Sequence, residues 1–244
     1  MPVTCSHPVE LETDWGDRII RYLVIREARK YLTITVYTDV RVVVRAPATQ
    51  SLESVVDYVQ RKRAWIAKHL SRFQALPPAD TPRYESGESH LYLGETYPLH
   101  VERSKQRGVA LESGRLLVRV RPATGPRAVR MALRRWYSRQ ARAEFEARLA
   151  RLQREVPLFA RLSFVLRVRR MTSRWGSCTS RGVITMNPLL IQASPACVDY
   201  VLAHELVHRL ELGHTPRFYE LLAGVFPDWK DREAALKKTA IIAT

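Results

Sequence analysis

The segment from His204 to His214 reads HELVHRLELGH and constrains the rest of the chain more than any other. His204 and His208 are four residues apart, so on a helix both imidazoles stand on one face, within reach of a single metal ion. Glu205 follows His204 by one position, about 100° round the helix, where its carboxylate can work on a water at the metal. The flanks support a helix here. Ser194 is a good N-cap and Pro195 suits the first helical position. Val198, Val201, Leu202, Leu206 and Leu210 supply an inner face, and Gly213 is the expected stop.

Two imidazoles and a carboxylate base at HExxH spacing suit a hydrolytic zinc site. A catalytic zinc takes three protein ligands and keeps a fourth position for water. His214, six residues after His208 and just past Gly213, is the expected third ligand; Glu220 and Glu211 are its rivals. The pattern HExxHxxGxxH has the same second interval. Its glycine stands elsewhere, however, and no methionine follows Met186, which excludes a Met-turn. His7, His69, His90 and His100 are scattered through the first half and read as ordinary histidines. Glu205 would take the proton of the attacking water and pass it to the leaving group. Asn187, Arg174 or a tyrosine would assist the developing oxyanion, so Asn187 and Arg174 are the candidate substrate-binding residues. Val183–Asn187 is read either as an edge strand on which an extended peptide pairs or as scaffold.

The remaining sequence predicts an α+β fold. Arg18–Ile25, Tyr31–Tyr37 and Val40–Ala46 read as strands, with Thr38-Asp39 as a tight turn. Ser51 caps a helix whose stripe is Val55, Val56, Val59, Trp65, Ile66 and Leu70. Pro77-Pro78 opens a linker. Two hairpins follow, one around Gly94-Glu95-Thr96 and one turning at Ser113-Gly114. Arg127 to about Glu155 reads as a long helix, Ser163–Arg170 and Gly182–Asn187 as strands, and Thr172–Arg181 as a turn-rich segment between them. Thr215-Pro216 and Pro227-Asp228 each start a further helix. The expected organisation is a β-rich part over residues 1–122 with a helix, then a zincin-like domain over residues 123–244 that places the HExxH helix next to a small sheet. No internal repeat is expected.

Charge bears on partners. Arg103 to Arg174 holds 20 Lys/Arg against 4 acids, which equals the whole net charge of +16. Such a segment suits nucleic acid, though an arginine-rich solvated helix face gives the same count. Three cysteines without CxxC spacing (Cys5, Cys178, Cys197), no secretory pattern and no apolar run near ~20 residues point to the cytoplasm and away from the membrane.

Several of these residues together carry a family resemblance: Arg174-Trp175-Gly176-Ser177-Cys178, Asn187, His204-Glu205, His208, His214, Phe218 and Pro227-Asp228-Trp229-Lys230, with Trp65-Ile66 and Tyr92-Leu93-Gly94-Glu95 earlier. In these the chain resembles the YgjP-like metallopeptidase family over nearly its whole length. The resemblance implies a gluzincin-like fold, one zinc ion on His204, His208 and His214, Glu205 as catalytic base and a peptide or protein substrate. It implies Cys178 as a packed residue near the site, and a distant kinship to SprT-like proteases. Two other functions compete: a metal-dependent phosphohydrolase acting on nucleotides, and a nucleic-acid-associated protein-processing factor. The first lacks a phosphate loop and a carboxylate cluster for magnesium.

Overall fold

The computed structural model describes residues 8–15, 18–37, 40–74, 82–171 and 174–239. Cys5, His7, the expected turn at Thr38-Asp39 and the linker prolines Pro77-Pro78 lie outside these residues. The chain forms two compact units that divide at residue 80.

In the first unit, β1 (Val9–Trp15), β2 (Arg18–Glu27), β3 (Thr33–Val36) and β4 (Val42–Pro47) form a sheet of order β1-β2-β4-β3. The β1–β2 and β3–β4 pairs are antiparallel, and β2–β4 is parallel. The sheet packs against α1 (Leu52–Gln74), where Val55, Val59 and Ile66 join Ile20, Tyr22, Val24, Val42 and Val44 in one core. Ser51 caps this helix as expected, its Oγ accepting from Ser54 N at 3.3 Å. Strand β1 is not anticipated by the sequence reading: Val9, Leu11, Thr13 and Trp15 alternate with Glu10, Glu12 and Asp14, yet only Thr13 among them is buried.

The second unit begins with the same arrangement. Strands β5 (Ser89–Tyr92), β6 (Glu95–Arg103), β7 (Gly108–Glu112) and β8 (Arg115–Val120) take the order β5-β6-β8-β7. Their outer pairs are antiparallel and their central pair is parallel. A long helix, α2 (Pro126–Glu155), then follows. The four-strands-and-helix pattern therefore occurs twice, contrary to the expectation of no repeat. The duplication lies in strand pairing and order, which a one-residue-at-a-time comparison does not see. It also explains why packing divides the chain at residue 80 and not at 122. Leu116, Val118 and Val120 of β8 share a core with Val129, Leu133 and Trp136 of α2, so this sheet belongs with the helix that follows it. The turns Leu93-Gly94 and Ser113-Gly114 have φ of 50° and 84°, and of 49° and 71°, which suits two-residue hairpins.

After α2 come β9 (Val165–Val168), β10 (Gly176–Cys178), β11 (Val183–Met186), α3 (Pro195–Val207), α4 (Pro216–Val225) and α5 (Trp229–Lys238). The three strands take the order β10-β11-β9, with β11 parallel to β9 and antiparallel to β10. Of the two readings of Val183–Asn187, edge strand or scaffold, the scaffold one holds, because β11 is central. The edge beside α3 belongs to β10, inside the segment that reads as turns. The mixed sheets and helices make the fold α+β, as expected, and no helix among the described residues is long and apolar enough to cross a membrane.

One buried ion cluster ties α2 to α3. Asp199 accepts from Arg148 at 2.8 Å and Arg151 at 2.7 Å, and Arg148 also meets Glu144 at 2.6 Å. Removing the shared carboxylate leaves a largely buried Arg148 short of its partner. Asp199→Ala is expected to lower unfolding free energy by about 3 kcal/mol. A urea midpoint equal to wild type would show that the cluster contributes nothing.

Candidate metal centre

Helix α3 forms because its ends are capped and its body is apolar. Ser194 Oγ accepts from Cys197 N at 3.4 Å, and Pro195 occupies the first turn. Most of the helix is buried all round, as expected of an inner helix. The hairpin turn at Leu93-Gly94 seats its start. Leu93 N donates to Ile191 O at 2.7 Å and Gly94 N to Gln192 O at 3.2 Å. A Cβ on Gly94 would stand 2.9 Å from Ser194 Cα, so only glycine permits this approach.

The helix proper ends at Val207, with His208 as its C-cap. Tighter turns carry the chain on, with Arg209 N donating to Leu206 O at 2.9 Å and Leu210 N to Val207 O at 2.8 Å. The stop thus comes earlier than the expected Gly213, which takes no left-handed conformation. The chain then returns, and Thr215 caps α4 by accepting from Phe218 N at 3.3 Å.

This return closes the site. His204, His208 and His214 bring their ligand nitrogens within 4.8 Å of one another, and Nε2 of His214 lies 3.0 Å from Nε2 of His204. The fully buried Phe218 underlies all three rings, at centroid distances of 4.8, 4.6 and 4.8 Å. His208 Nδ1 donates to Glu211 O at 3.1 Å, which leaves its Nε2 lone pair free to ligate. Burial, and then the neighbouring imidazoles, hold His204 down at about 3, so that ring is neutral. Ligands of one tetrahedral zinc stand about 3.3 Å apart, given Zn–N bonds of about 2.0–2.1 Å. Three imidazole nitrogens spanning this range fit such an ion. Of the expected rivals, Glu220 pairs with Arg217 at 3.3 Å, and Glu211 contributes only its backbone carbonyl to His208. Neither belongs to the cluster.

Glu205 is 5% exposed, and its Oε2 is buried without a hydrogen-bond partner. Burial pushes its carboxyl up to about 8, against an opposing pull from the Arg174 charge. Its position depends on Gly176 of β10. A Cβ there would press on Oε1 and stand 2.7 Å from Cγ and 2.8 Å from Cδ of Glu205. Strand β10 is thus a wall laid directly on the carboxylate. Gly176→Ala is expected to displace Glu205 and lower kcat/KM for hydrolysis by about 100-fold while metal binding persists. A variant with wild-type turnover would show that the wall does not set the carboxylate.

The two candidate substrate-binding residues part company. Arg174, exposed at the head of β10, is the residue whose charge reaches Glu205. Asn187 is 0% exposed, and its amide is spent on the chain. Its Nδ2 donates to Met171 O at 2.8 Å and Arg174 O at 3.2 Å, and its Oδ1 accepts from Leu189 N at 3.2 Å. It is not a free donor for substrate. It anchors the chain that leads into β10, and so places Arg174 and Gly176.

Arg209 is a residue that sequence reasoning misses. Its Nη1 donates to Ser180 O at 2.9 Å, and its guanidinium lies over Gly182, tying the β10–β11 turn to the end of α3. The only sequence signal is its place directly after His208. Cys178 is half-buried near Glu205 and is not part of the histidine cluster, in line with its expected packing role.

The family model described as YgjP-like, metallopeptidase domain, matches residues 30–239. No curated protein matches the chain. Among solved structures, the chain is similar to the crystal structure of the metallopeptidase zymogen of Pyrococcus abyssi abylysin. The two are 23% identical over 38% of this chain and 90% of that chain, with a TM-score of 0.35.

Proposed function

The chain belongs to the YgjP-like metallopeptidase family, and on that premise we propose that it hydrolyses peptide bonds with one zinc ion held by His204, His208 and His214 and with Glu205 as the base. The observation that carries this reading is the set of three convergent imidazoles beside a buried carboxylate with an unpartnered oxygen. Zinc supplies a Lewis acid that makes water nucleophilic near neutral pH and polarises a carbonyl oxygen.

The protein's own residues do the rest. His208, fixed by Glu211 O, presents Nε2 in one orientation. Glu205 takes the proton of the attacking water and delivers it to the departing amine. Gly176 and the buried surroundings hold that carboxylate in place and keep bulk water from it. An extended peptide would pair with the edge of β10, which lies against α3, and would bring its scissile carbonyl past Glu205. Arg174, at the head of that strand, would meet substrate carbonyl or carboxylate oxygens. Cys178 and Cys197 are free thiols, which suits an enzyme of the reducing cytoplasm.

The test is digestion of casein and a peptide library beside a nucleotide panel, with the protein as purified, after chelation and after zinc is restored. Peptide cleavage that chelator abolishes and zinc restores is expected. Nucleotide hydrolysis with no peptide cleavage would replace this reading by the phosphohydrolase one.

A further inference from the structure

The exposed apolar residues of the C-terminal region gather at one place. Among the described residues after Val165, the large hydrophobic side chains left exposed are Leu210, Leu212 and Tyr219. Leu210 and Leu212 lie in the connection between His208 and His214, and Tyr219 follows Phe218 on α4. Single exposed hydrophobics scattered over a surface are ordinary, but three within a few residues of one histidine cluster are not scattered.

Ring contacts put Tyr219 at the mouth of the site. Phe218 underlies the three imidazoles and is fully buried, so it closes the inner side of the cluster. His204 and His208 are half-buried, whereas His214 is exposed, so the cluster opens toward His214. Tyr219 is turned about 100° from Phe218 round α4. Its ring lies 6.3 Å from that of His214, inclined at 33°. Tyr219 therefore borders the opening.

The same ring is held in place from behind. It stacks on Trp229 of α5 at 5.1 Å and 24°, and meets Phe218 edge-on at 5.4 Å and 85°. Trp229 is partly buried against the core of the unit. Stacking between α4 and α5 accounts for the covered part of Tyr219, but it does not require that 37% of the residue stay in solvent at the rim. The flanking Arg217 and Glu220 pair with each other at 3.3 Å. The buried Tyr200 adds a further ring, edge-on to His204 at 6.0 Å. This border of the site is aromatic, whereas Arg174 and the backbone of β10 offer polar groups.

The geometry assigns Tyr219, backed by Trp229, as the residue that selects an apolar side chain next to the scissile bond. The assignment rests on the peptidase reading and adds a substrate class to it: peptides cleaved beside Phe, Tyr, Leu or Met. An extended peptide sends successive side chains to opposite faces, so only one of the two residues flanking the scissile bond reaches Tyr219. Full burial of a large apolar side chain favours it over none by roughly 10- to 100-fold, enough to set a preference.

The experiment digests a peptide library with full-length, zinc-loaded wild type and maps the cleaved bonds by mass spectrometry. An apolar residue is expected to be enriched at one of the two flanking positions. Two peptides that differ only there, Leu against Gly, are then compared on wild type, Y219S and Y219F. Wild type is expected to favour the Leu peptide by about 10-fold or more in kcat/KM, chiefly through KM. Y219S is expected to lower that ratio about 5-fold or more, while zinc content and turnover of the Gly peptide stay near wild type. Y219F should retain the preference. A purely structural role for the ring would instead lower turnover of both peptides together. Should Y219S not fold, Y219H, which keeps a ring on Trp229 but is polar, is expected to lose the preference in the same way. No apolar preference in wild type, or an undiminished one in the folded variant, overturns the assignment and leaves the peptidase reading standing. Absence of any chelator-sensitive peptide cleavage by wild type overturns that reading and the assignment with it.

Discussion

Glu205→Gln is expected to abolish most hydrolysis, lowering kcat by about 100- to 10,000-fold, while the protein still binds one zinc. The substitution keeps the shape of the side chain that Gly176 covers, so packing changes little. What it removes is the carboxylate that accepts the water's proton. Because His204, His208 and His214 are untouched, metal content by elemental analysis should equal that of wild type. A purified variant that cleaves peptides as fast as wild type would show that another group is the base.

His214→Ala is expected to weaken zinc retention by more than the ~10- to 100-fold that losing a group which merely orients a ligand costs. His214 is exposed, so its loss should change the metal-free protein's stability by less than about 0.5 kcal/mol. The two effects therefore separate cleanly. The metal-free variant should melt with metal-free wild type, whereas added zinc should raise Tm far less in the variant. Full zinc occupancy in His214→Ala would transfer the third position to another residue. Glu220 is the test case, and Glu220→Ala should leave zinc binding unchanged because that carboxylate faces Arg217.

The local signals that build the site were legible in the chain. The cap at Ser194, the cap at Thr215 and the four-residue histidine spacing are short-range features, and each has the predicted hydrogen bond or contact. Other readings failed for identifiable reasons. Asn187 resembled a substrate donor because polarity is visible in sequence and burial is not. Gly213 resembled the helix stop because glycine commonly serves there, yet apolar burial of α3 ends at Val207 and the chain turns away sooner. Strand β10 was hidden in a segment that reads as turns because three residues are too few to show alternation.

By itself, the sequence determined which residues can hold a metal and which carboxylate stands beside them, because helix periodicity relates positions only a few residues apart. Tertiary structure alone decided what lies against that carboxylate. Gly176 comes to rest on Glu205 only after β10 pairs with β11 and Arg209 ties their turn to the end of α3. Contacts between elements distant in the chain depend on strand order and packing, which no local pattern of residues encodes.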